Sequence, residues 1–131
     1  MGEKTIIAWT HHTHNIAWGC FKVSAGCKNC YAEEFTQRLT GTKIWGPPAT
    51  SSRRTFEEPH WRHPINWNRN AQKREVSELV FSSSMCDVFE DHPTIEQELR
   101  RLWDTIRATP FLHWQLLTKR PERIRASLPA D

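Results

Sequence analysis

Among its 131 residues the chain has no apolar run long enough to cross a bilayer, which argues against a membrane role. No apolar signal-peptide run precedes its cysteines either. Internal repeats and low-complexity tracts are missing, so neither a solenoid nor a disordered linker is in view. Strong charge of one sign is also absent: a net charge of +3 is too mild to establish a nucleic-acid partner by itself. With 37% hydrophobic and 25% charged residues, the composition is that of one small globular domain.

Cysteine is scarce and unevenly spread. A secreted disulfide scaffold would carry an even, dispersed set, and Cys27 with Cys30 would close a very small loop. The expected setting is therefore reducing and cytoplasmic. Three of the four cysteines, Cys20, Cys27 and Cys30, fall within eleven residues, and thiolates so clustered point to a metal. Two chemistries compete. A zinc site wants four protein ligands, which His14, His12 or His11 would complete as Cys3His in a nucleic-acid-binding module. An iron–sulfur cubane held by three cysteines leaves one iron open to a small molecule. Cys86, beside Met85 in an apolar setting, is expected to be buried and inert.

Around this cluster the pattern is α/β. The cysteine loop and first helix occupy 15–41, with Tyr31, Phe35 and Leu39 at i, i+4, i+8 and Gly41 behind them. The first strand is placed at 5–9 or at 15–18. Residues 42–77, rich in proline, are expected to form a long irregular excursion with at most short helices. A βαβ unit follows over 79–118. A strand at 79–85 leads to a helix opened by a Thr94 to Gln97 capping box, with an apolar stripe of Ile95, Leu99, Leu102, Trp103 and Ile106. Then come a strand at 113–118 and a short helical start at 122–126. Strands alternating with helices imply a parallel sheet, whose ligands gather at the C-terminal strand ends. Ser84, Asp87, Thr118, Lys119 and Arg120 lie there as candidate binding residues. Arg53, Arg54, Trp61 and Arg69 form a second, weaker candidate set for nucleic acid, although the seven tryptophans serve more readily as packing anchors than as stacking platforms.

Taken together, Trp18-Gly19-Cys20, the Val23-Ser24-x-Gly26-Cys27-x-x-Cys30-Tyr31-Ala32 block, Trp61-Arg62-x-Pro64-x-x-Trp67-Asn68-Arg69, Ser84-Met85-x-Asp87-x-Phe89 and Leu117-Thr118-Lys119-Arg120-Pro121 resemble the phage gene-product thirty-seven/sixty-eight family over nearly the whole chain. That family is similar to a distant branch of the radical S-adenosylmethionine enzymes. The common spacing there is Cys-x3-Cys-x2-Cys, whereas this chain has Cys20-x6-Cys27-x2-Cys30.

The resemblance implies the N-terminal portion of a partial (β/α) TIM-like barrel with a [4Fe-4S] cluster on Cys20, Cys27 and Cys30. S-adenosylmethionine would sit on the open iron, with Asp87 holding a ribose hydroxyl or the methionine amino group. It further implies a longer protein, since a full barrel needs at least roughly 200 residues. Alone, the chain would then call for a separate partner protein to cover the edge of its last strand. The substrate is unread, with nucleic acid or a nucleotide as the expected class. A phage structural or accessory protein without catalysis is the remaining alternative.

Overall fold

The computed structural model describes residues 7–22, 27, 31–40, 44–48 and 51–129, without the side chains of 31, 36, 37, 39 and 40. Three parallel strands form its sheet, in the order β1 (His12–Thr13), β2 (Glu78–Ser82), β3 (Leu112–Leu116). His12 pairs with Val80, and Val80 in turn with Trp114, so β2 is central. Helix α1 (Tyr31–Thr40) follows the cysteine loop, α2 (Glu58–Lys73) joins β1 to β2, and α3 (Pro93–Arg107) joins β2 to β3. A 3-10 turn at Pro121–Arg123 leads into α4 (Ile124–Ser127).

Several expectations are corrected. The barrel portion is not formed: the described residues make an open, three-stranded sheet with β1 and β3 as its edges. The excursion at 42–77 is not wholly irregular either, because its second half is the sixteen-residue α2. Its prolines mislead. Pro59 sits in the first turn, where a missing N–H costs nothing. Pro64 lies inside the helix, on the buried side with Trp61, Trp67 and Ala71. Spacings of three, three and four put these four on one stripe, and burying two indole rings outweighs the lost hydrogen bond.

Strand β1 lies between the two segments expected to supply it, and two residues are too few to leave a period. Helix α3 begins two residues earlier than its sequence suggests. His92 is the N-cap, its Nδ1 accepting from the Thr94 amide at 3.1 Å, and Pro93 occupies the first turn. Ile95, Leu99 and Leu102 are buried, and they meet Ile16, Trp61, Val88 and Phe89 in the main core. Helices α2 and α3 touch through this core and through Arg101, whose guanidinium lies 4.7 Å over the Trp61 ring. In α1, Phe35 is exposed rather than part of a buried stripe, and Tyr31 and Leu39 fall outside the described side chains. No helix among the described residues is long and apolar enough to cross a membrane.

Candidate functional site

A cavity of about 330 Å³ opens at the C-terminal ends of the strands. Cys20, Cys27 and Cys86 line it, as do all five predicted binding residues, Ser84, Asp87, Thr118, Lys119 and Arg120. The sheet explains the convergence: chains leaving β1, β2 and β3 in parallel all emerge at one rim. Cys30 lies outside the described residues. Sequence reasoning missed the aromatic wall, in which Trp9, Phe21, Trp45 and Phe81 take part. Trp9 is half exposed and leans on Phe81 at 4.7 Å between ring centres.

The rim is built by polar side chains tied to backbone. Asn15, just after β1, accepts from the Met85 amide at 2.7 Å and donates to Ser84 Oγ at 3.2 Å, while Ser83 Oγ accepts from the Ile16 amide at 3.1 Å. These bonds fix the exits of β1 and β2 to one another. Gly19 then turns the chain into the cysteine loop with φ +115°. A side chain there would be strained and would meet the Ile44 carbonyl and, at 2.8 Å, Arg53 Cδ. Trp18 and Arg54 exchange backbone hydrogen bonds of 2.8 and 2.9 Å, so the segment before α2 clamps the start of that loop.

Asp87 is fully engaged inside the protein. Its carboxylate accepts from the Phe89 amide at 2.9 Å, Thr118 Oγ1 at 2.7 and 2.9 Å, the Lys119 amide at 2.9 Å and Arg120 Nη1 at 3.0 Å. Arg120 continues the chain of contacts, donating to the Phe21 carbonyl at 2.6 Å and to Cys20 Sγ at 3.5 Å. Asp87 thus positions Arg120, and Arg120 positions the Cys20 segment. Burial disfavours the Arg120 charge, yet Cys20, Asp87 and Glu90 together hold its pKa above the usual arginine value. Burial pushes the Cys20 thiol up, and the Arg120 guanidinium opposes that rise. Cys86 is buried, as expected, and burial pushes its thiol up to about 12.

The second candidate set separates. Arg53 is buried, forked onto Glu90, and donates to the carbonyls of Ile44, Gly46, Ser51 and Ser52, so it holds no phosphate. Trp61 is a core anchor. Arg54 and Arg69 are exposed, with Arg54 lying 5.5 Å over the Trp18 ring. The histidines offered for a Cys3His site turn elsewhere. The His12 ring stacks on Trp67 at 4.3 Å, His14 stacks on His60 at 4.3 Å, and His11 Nδ1 accepts from the Leu79 amide at 2.9 Å. Among the described residues no group of three or more His, Cys, Asp or Glu side chains is placed to hold a metal.

Comparison with curated proteins finds no match, and comparison with solved structures finds none. Residues 4–131 match one family almost end to end, and the chain belongs to it: the family described as protein of unknown function (DUF5131).

Proposed function

We propose that this protein is an iron–sulfur enzyme of the radical S-adenosylmethionine type, with Cys20, Cys27 and Cys30 as cluster ligands. The observation that carries the reading is that Cys20 and Cys27 wall the same cavity as Ser84, Thr118 and Lys119, at the edge of a parallel sheet where ligands collect. The described donors suit the group. Two thiols face one cavity, and the Arg120 guanidinium beside Cys20 offsets the negative charge that thiolate ligands bring. The resemblance to the phage gene-product thirty-seven/sixty-eight family adds the third ligand. A zinc reading lacks its fourth ligand among the described histidines, which pack against α2 and β2 instead.

Bound together, such a cluster and S-adenosylmethionine supply one-electron cleavage chemistry. The protein's own share is positioning and shielding. Arg120 anchors the Cys20–Phe21 segment. Ser84 Oγ and the Lys119 ammonium are the polar groups on the cavity wall suited to orienting a ligand carboxylate or hydroxyl. Trp9, Phe21 and Leu117, all partly exposed at the mouth, are placed to exclude water once a ligand covers them.

The test is anaerobic reconstitution with iron and sulfide, followed by reduction in the presence of S-adenosylmethionine. Brown protein with about four irons per chain that cleaves the sulfonium supports the reading. Colourless protein carrying one zinc, or a cluster that never turns over S-adenosylmethionine, overturns it.

A further inference from the structure

The outward face of α2 carries a charge pattern that the cavity does not use. Arg62, Asn66, Arg69 and Lys73 recur at i, i+4, i+7 and i+11, and all four are exposed. Trp61, Pro64, Trp67 and Ala71 occupy the opposite side and are buried. At 3.6 residues per turn the four outward residues fall within an arc of about 60°. Arg62, Arg69 and Lys73 make no ion pair among the described residues. The acid on that side of the helix, Glu58, is engaged by Arg101. Arg69 and Lys73, like charges at i, i+4, weaken the helix between them, a local cost for which the core supplies no reason.

We infer that this face docks on the backbone of double-stranded nucleic acid. From Arg62 to Lys73 the helix advances about 16 Å, which matches about five phosphate steps of one duplex strand. Three cations meet phosphates along that line, and the Asn66 amide donates to a phosphate or sugar oxygen. The stripe presents no aromatic ring, because Trp61 and Trp67 point into the core, so the stacking platform that single strands require is missing. Contact confined to phosphates makes the binding independent of sequence. This inference stands apart from the cluster reading and survives its failure.

Fluorescence anisotropy with a random-sequence DNA duplex and the matching single strand, over a range of salt, tests it. Duplex affinity should fall with salt at a log–log slope of about −2.7 from these three contacts. The variant Arg62→Gln, Arg69→Gln, Lys73→Gln should lose most of that slope and at least about tenfold in affinity at low salt. Arg62→Lys with Arg69→Lys should restore binding. Arg100→Gln with Arg125→Gln, exposed on α3 and α4, should change nothing. Wild-type affinity and slope in the triple glutamine variant would overturn the inference. So would tighter binding of the single strand, or equal competition by polyglutamate.

Discussion

Arg53 and Glu90, 37 residues apart in sequence, meet as a two-pronged pair with Nε–Oε1 at 2.8 Å and Nη2–Oε2 at 2.7 Å, and both side chains are sealed from solvent. Arg120 approaches the same Glu90 carboxylate at 3.7 Å and joins it to Asp87. The result is a buried network of two cations and two anions behind the cavity. It ties the segment before α2 to the segment before α3 and to the end of β3.

Breaking this network from one side should be costly, because the partner is left charged and buried. Glu90→Gln is expected to destabilise the fold by about 3–5 kcal/mol. Arg53→Met should cost a similar amount, since it also orphans the carbonyls of Gly46 and Ser52. Urea unfolding of the two single variants and the double variant measures the coupling. A double variant that loses the full sum of the single losses would show that the pair does not act as a unit.

Acid should unfold the protein through its buried imidazoles. His14 is 1% exposed, with neither ring nitrogen hydrogen-bonded, and burial, followed by the nearby His60, lowers its pKa to about 3. His60 is also lowered, chiefly by burial. Both values lie below those of the unfolded chain, so the unfolded state binds more protons as pH falls. The His14 contribution is complete above about pH 6.5 and is lost toward pH 3, at about 1.4 kcal/mol per pH unit, and that of His60 is lost in the same direction as pH falls. Urea midpoints from pH 7 to 4 should fall more steeply for wild type than for His14→Phe. Equal slopes would remove His14 as the cause.

The legible parts of the fold are those with a local signal of their own. The short apolar runs of β2 and β3 and the stripe of α3 stand in the sequence, and the rim residues follow from where those strands end. Helix α2 was hidden because Pro59 and Pro64 carry a breaker's signature, while their acceptability depends on where they fall in a helix packed by Trp61 and Trp67. The N-cap of α3 was misplaced because Thr94 and Gln97 form a capping pattern that His92 pre-empts. Arg53 resembled a phosphate ligand for a deeper reason. Its partner, Glu90, is remote in sequence, and nothing local marks an arginine as belonging to the interior.

Within the cavity the cysteines should divide sharply. Cys20→Ala and Cys27→Ala, with Cys30→Ala alongside, should each abolish the brown absorbance of reconstituted protein. Cys86→Ala should keep it, because that thiol is buried and held protonated by its surroundings. In folded, metal-free protein Cys86 should resist iodoacetamide at pH 8 and react only after denaturation. Loss of colour in the Cys86 variant, with retention in the Cys20 variant, would reverse the ligand assignment.

Asp87 gives the sharpest separation between holding a cofactor and holding the fold. A residue that touched only S-adenosylmethionine could be removed with iron content intact. Here the carboxylate closes the ends of β2 and β3 through Thr118 and the Lys119 amide, and through Arg120 it fixes the Cys20 segment. Asp87→Ala should therefore cost about 3–5 kcal/mol, as one side of a buried ion pair is lost, and lower iron occupancy as well. Thr118→Val removes one neutral hydroxyl, which donates to Asp87 and accepts from the Arg120 amide at 2.9 Å, and should cost about 1–3 kcal/mol with iron retained. Iron content and urea midpoints on the two variants decide the matter. An Asp87→Ala protein of wild-type stability and full iron content, impaired only in S-adenosylmethionine binding, would place the carboxylate on the cofactor instead.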